Sequence, residues 1–98
     1  MFKKAIAALI LASALVGCGR SPGALEGTWQ AVGMPMTMTF RAGETETMGI
    51  IERVSYATEG NAVKVTYTDG MMKGSSIRFT MVDHNTAQNP MYTLRRIR

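Results

Sequence analysis

From Leu25 to the end of the chain, apolar and polar residues alternate with a period of two in stretch after stretch. Met34, Met36, Met38 and Phe40 alternate with Pro35, Thr37 and Thr39. Val63, Val65 and Tyr67 alternate with Lys64 and Thr66, and Ile77, Phe79 and Met81 with Arg78 and Thr80. That period belongs to a strand with one buried face, whereas an amphipathic helix repeats every ~3.6 residues. No helical period follows Ala24. Turn signals separate the runs: Gly43 in "RAGE", "TEGN" before Ala62, and the Asp69-Gly70 pair. The chain is therefore expected to be all-β. Six strands are predicted: Leu25–Val32, Met34–Phe40, Thr45–Ala57, Ala62–Thr68, Ser76–Val82 and Met91–Ile97. Ile51 breaks the alternation of the third, which places a bulge between Gly49 and Glu52. Short connections favour sequential antiparallel pairing. The expected product is a small antiparallel meander of about six strands, curled into a barrel or half-barrel around Trp29, Phe40, Tyr56, Phe79 and Tyr92. Curling limits exposed strand edges.

The first residues have a different character. Lys3 and Lys4 precede an uninterrupted run of apolar and small residues, Ala5 to Val16. Its twelve residues fall short of the ~20 that span a bilayer core. A short basic start followed by such a run is the pattern of a cleaved secretory signal peptide. Leu15-Val16-Gly17-Cys18 ends it. This stretch resembles the lipobox of bacterial lipoproteins. The resemblance implies cleavage before Cys18, a diacylglycerol on its thiol, and an acyl chain such as palmitate on its new amino group. Cys18 is the only cysteine of the chain, so no internal disulfide exists, and acylation gives the lone thiol a purpose. The domain plan is a signal peptide over 1–17, a lipidated Cys18 with a short Gly-, Ser- and Pro-containing tether over 18–24, and a β domain over 25–98. Two or more acyl chains hold a protein stably on a membrane. Gly19, in place of an Asp after the cysteine, points by the same resemblance to the outer membrane, with the domain facing the periplasm.

A second resemblance runs from Leu25 to Arg96. "LEGTWQ" is similar to the Gly-x-Trp opening of lipocalin-like domains, and "YATEGNAVKVTY", "FTMVDHNTA" and "YTLRR" resemble pieces of the small lipocalin-like domains of bacterial lipoproteins. Lipocalins have eight strands, and an expectation of about six argues against a large internal ligand cavity.

Charge excludes little. Removing Lys3 and Lys4 from the eleven basic residues leaves nine against seven acidic ones, a net of +2 instead of +4. Arg95, Arg96 and Arg98 crowd the last positions and read as a solvated final strand and tail. No nucleic-acid partner is expected. Nor does any stretch carry a nucleophile elbow or a phosphate-cradling glycine loop. The single histidine, His84, stands between Asp83 and Asn85, where side chains commonly bond their own backbone to make a turn. Glu44 and Glu46 read as a solvated strand face, and Glu52 is the odd charge on an otherwise apolar face. No catalytic residue and no bound cofactor are expected.

Methionine is the unusual component. Eight of the nine lie beyond Cys18. Thioethers suit Cu(I), yet neighbours two apart on a strand are separated by ~6.8 Å and Met34 and Met38 by ~13.6 Å. Three methionines along a straight strand do not converge on one ion. The face continues into Phe40 and reads as core, where methionine fills irregular gaps. Met71 and Met72 sit in a turn region and, if exposed, suggest a contact surface. The expectation is a membrane-anchored, non-enzymatic binding or structural module that contacts an envelope protein partner or another envelope component. A periplasmic Cu(I) binder and a binder of small hydrophobic ligands are the alternatives.

Overall fold

The computed structural model describes residues 18–98; the expected signal peptide, with Leu15, Val16 and Gly17, lies outside the described residues. Strand β1 is a two-residue piece, Cys18–Gly19, followed by a 3-10 turn at Gly23–Leu25. Then come β2 (Gly27–Ala31), β3 (Thr37–Arg41), β4 (Glu44–Thr47), β5 (Ile50–Glu59), β6 (Ala62–Tyr67), β7 (Ser76–Asp83), β8 (Thr86–Gln88) and β9 (Thr93–Arg96). Each of β2 to β8 pairs antiparallel with the next, and β9 returns to pair with β2 through Trp29 and Arg96. The result is a closed up-and-down barrel of eight strands. Among the described residues no helix is long and apolar enough to cross a membrane.

The all-β antiparallel barrel is as the alternation predicts, but the strand count is eight. Two features account for the difference. The expected long strand Thr45–Ala57 folds back at Met48-Gly49, and Thr47 pairs directly with Ile50. Both turn residues have positive φ, 53° at Met48 and 85° at Gly49. That is the pattern of a two-residue type I′ hairpin. The expected bulge is thus a reversal, and β4 and β5 each keep their own alternation. The second extra strand is β8, whose Thr86–Gln88 lies inside the stretch expected to be a loop. Its only buried side chain is Ala87, too small to register as an apolar signal.

Alternation delivers the core as expected at four of five aromatic anchors. Trp29, Phe40, Tyr56 and Phe79 are fully buried, while Tyr92 is half-buried and packs against them. Phe40 and Phe79 meet edge to face at 5.4 Å between ring centroids. Burying each such side chain contributes roughly 2–3 kcal/mol.

One end of the barrel is shut. The 3-10 turn places Leu25 across it, and the Trp29 indole N–H donates to the Leu25 carbonyl oxygen at 2.9 Å. The Arg96 guanidinium lies 4.3 Å from the Trp29 ring centroid. Its nitrogens donate to the carbonyl oxygens of Ala24, Glu26 and His84. Gly27 makes this possible. Its φ is +131°, and a Cβ there would stand 2.6 Å from an Arg96 nitrogen and 2.7 Å from the Arg98 carbonyl oxygen. The physical content of "GTW" is therefore a close backbone crossing beside a covered indole.

The chain reaches this end along β5. That strand has ten residues and β4 only four, so β5 outruns its neighbour beyond Arg53. Residues 18–20 occupy the vacant edge: Cys18 pairs with Ala57, Gly19 with Tyr56, and Gly43 N–H donates to the Arg20 carbonyl oxygen at 2.9 Å. Pro22 is buried. The segment expected as a tether is laid on the barrel wall because an unpaired edge strand offers it hydrogen bonds.

Candidate functional site

The other end of the barrel is open. Four connections surround it: residues 32–36, the Met48-Gly49 turn, residues 68–75 and residues 89–92. A cavity of about 590 Å³ lies between them. Its deeper wall is made by Met36 and Met38 from the β3 side, Tyr67 at the end of β6, Ile77 at the start of β7, and Tyr92 ahead of β9. Thr47, Met48, Ile50 and Glu52 supply the β4–β5 side, and Met71 and Met72 the β6–β7 loop.

Local chemistry fixes each part. Pro35 has no N–H to donate to a ladder, and the β2–β3 connection is held instead by Gln30, whose side-chain amide donates to the Met34 and Met36 carbonyl oxygens at 2.9 and 3.1 Å. This turns Met34 out to solvent and Met36 in. The β6–β7 loop is closed by Gly74 N–H to the Tyr67 carbonyl oxygen (2.8 Å) and Tyr67 N–H to that of Ser75 (2.9 Å). It carries Met71 fully exposed and Met72 half out. Asn89 Oδ1 accepts from the N–H groups of Met91 and Tyr92, and the Tyr92 hydroxyl donates to the Met38 sulfur at 3.6 Å.

Five methionines thus face one cavity: Met36, Met38, Met48, Met71 and Met72. They come from three separate segments, so the straight-strand objection to convergence does not apply to this set. Met34 is not among them. Met48 is the one non-glycine with positive φ among the described residues. Holding a side chain there costs roughly 1 kcal/mol or more, and such strain gathers where function needs it.

Among the described residues Glu52 is the only charged one lining the cavity. The period of β5 turns it to the inside with Val54 and Tyr56, and it makes no ion pair among the described residues. Tyr67 holds its proton more tightly than a free tyrosine, first because it is buried and then because the Glu52 charge opposes a phenolate.

The remaining sequence candidates lie elsewhere. His84 is exposed in the β7–β8 turn at the closed end, and Asp83 Oδ1 accepts from Asn85 N–H at 2.8 Å. Backbone contacts also depress the Asp83 carboxyl pKa, that from Asn85 most. Glu44 and Glu46 point outward, both held by Arg41 at 2.8 Å. Two further clefts lie outside the barrel mouth, a polar one of about 590 Å³ beside Asp83, Arg95 and Ile97 and a more apolar one of about 600 Å³ beside Gln30 and Val32. No three of His, Cys, Asp or Glu gather to hold an ion among the described residues. The Cys18 backbone lies on β1 at the closed end, across the barrel from the methionines.

Sequence reasoning placed Met34, Met36 and Met38 on one inward face with Phe40 and flagged Met71, Met72 and Glu52 as anomalies; Met36 and Met38 do turn inward, but Met34 is exposed. It missed Met48 and the assembly. "TMGI" between two alternating runs is the signal that would have exposed the hairpin. Comparison with protein-family models, with curated proteins and with solved structures finds no match to this chain.

Proposed function

We propose that this chain is a membrane-anchored envelope lipoprotein whose barrel binds a small apolar ligand, or the apolar part of a larger envelope component, in its methionine-lined mouth. One observation carries the binding reading: a cavity of about 590 Å³ with a largely apolar wall, open at one end of a barrel that is plugged at the other. Ligand sites typically run to ~300–1,000 Å³ with apolar walls and few polar groups. Methionine suits such a wall because its flexible, polarizable side chain repacks around different shapes. Eight strands in up-and-down order, with Gly27-x-Trp29 at the shut end, support the lipocalin-like resemblance. The lipobox supports the anchor. Cys18 at the closed end then turns the mouth away from the membrane surface, toward the periplasm.

Binding is tested with N-phenyl-1-naphthylamine, which fluoresces on entering an apolar site. The unaltered chain is expected to enhance its emission saturably, and Ile50→Lys, at an exposed rim position, to abolish the enhancement without loss of fold. No saturable binding, or equal binding by the variant, would defeat the reading. Anchoring is tested by Cys18→Ala, expected to release the protein from membranes.

A soft-metal reading is favoured by one specific observation, the five thioethers around one cavity. Anaerobic Cu(I) titration decides it: a dissociation constant no tighter than roughly millimolar, where binding is worth only ~4 kcal/mol, removes it.

A further inference from the structure

We infer that the ligand is an amphiphile with a cationic, ammonium-type head on an apolar tail, a refinement that rests on the apolar-ligand reading above. Among the described residues one charged side chain lines the cavity, and it is negative. Glu52 stands on the inner face of β5, and among the described residues no Lys or Arg lines the cavity. Glu52 is half-buried among methionine and isoleucine and makes no ion pair among the described residues, so its carboxylate is available to a cation that enters the cavity. An incoming ammonium pairs with it. The neighbouring surfaces suit the same guest. Tyr67 and Tyr92 bring two aromatic rings to the cavity wall, and ring faces attract ammonium groups. Thioethers are polarizable and apolar, and take the tail. A carboxylate or sulfate head would meet Glu52 as a like charge.

The rest of the molecule argues the other way. Beyond residue 17 the chain carries a net charge of +2, which favours anions at long range. A preference for cations is therefore local to the mouth and diagnostic of it.

The experiment displaces N-phenyl-1-naphthylamine from the full chain with three twelve-carbon amphiphiles below their micelle concentrations: dodecyltrimethylammonium, dodecyl maltoside and dodecyl sulfate. Dodecyltrimethylammonium is expected to displace at about fivefold lower concentration than the maltoside, the order of one partly screened ion pair, with dodecyl sulfate weakest. Glu52→Gln is expected to bring the ammonium and maltoside values together. Sulfate displacing as well as ammonium from the unaltered chain overturns the inference, as does an unchanged order in Glu52→Gln. Equal displacement by all three leaves the apolar site standing and removes only the head-group specificity. A chain that binds neither probe nor amphiphile loses both.

Discussion

Gly27 and Arg96 decide the closed end between them. The glycine admits the C-terminal backbone to a distance no Cβ tolerates, and the arginine then ties three carbonyl oxygens of the N-terminal and β7–β8 segments over Trp29. Gly27→Ala is expected to cost roughly 1–3 kcal/mol, because the conformation and the space are both lost. Arg96→Met is expected to cost roughly 1–3 kcal/mol through the lost charged hydrogen bonds and ring contact. Arg96→Lys should recover little, since one ammonium does not span three acceptors in a fixed fork. Urea denaturation of the three variants checks both values. A fully stable Arg96→Met would show the three carbonyls to be served equally well by water.

At the scale of elements, the β4–β5 hairpin sets stability against function. Met48 holds a positive φ that Asn adopts more readily, and Asn-Gly is the preferred pair for this turn. Met48→Asn is expected to raise stability by about 0.5–1 kcal/mol. The same change removes a thioether from the mouth, so affinity for N-phenyl-1-naphthylamine should fall. A variant that gains stability and keeps its affinity would show that Met48 serves neither purpose. The hairpin also explains why one residue mattered to the strand count. Glu46-Thr47-Met48-Gly49-Ile50 reads as interrupted alternation along one strand, and only the paired Thr47 and Ile50 mark it as two.

The whole barrel has a pH limit written into its tyrosines. Tyr56 is buried, which raises its pKa, and its hydroxyl donates to the Glu44 carbonyl oxygen at 2.6 Å. Tyr67 is raised by burial and by Glu52. Both stay protonated in the fold above ~10, where the unfolded chain loses those protons. The folded state then binds more protons, so stability is fully present below pH ~10 and falls as pH rises beyond it. Urea midpoints compared between pH ~8 and ~11 should show the decline, and Tyr56→Phe should shallow it. Orientation belongs to the same scale. With acylated protein in vesicles of spin-labelled lipid, a fluorophore at Asn61→Cys, in the closed-end β5–β6 turn, is expected to be quenched. One at Met71→Cys, on the mouth loop, should not be. The reverse pattern would place the mouth on the membrane.

The alternation around Phe40, Val63, Val65 and Phe79 settles by itself that these residues form strands and which side of each is buried, because side-chain direction along a strand depends only on parity. Gly43, Gly60 and the Asp69-Gly70 pair likewise mark reversals through local backbone chemistry. The expectation of an anchor at Cys18 is a local reading of the same kind, drawn from residues 3–18 alone. Closure was not legible in that way. That β9 returns to β2, that β1 fills the edge β4 leaves open, and that Met36, Met48 and Met71 share one cavity all depend on register between segments far apart in the chain. A hydrophobic pattern records which face a residue takes. It does not record which other strand's face lies opposite, and that pairing, decided only by the closed barrel, turns scattered methionines and one stray glutamate into a candidate binding site.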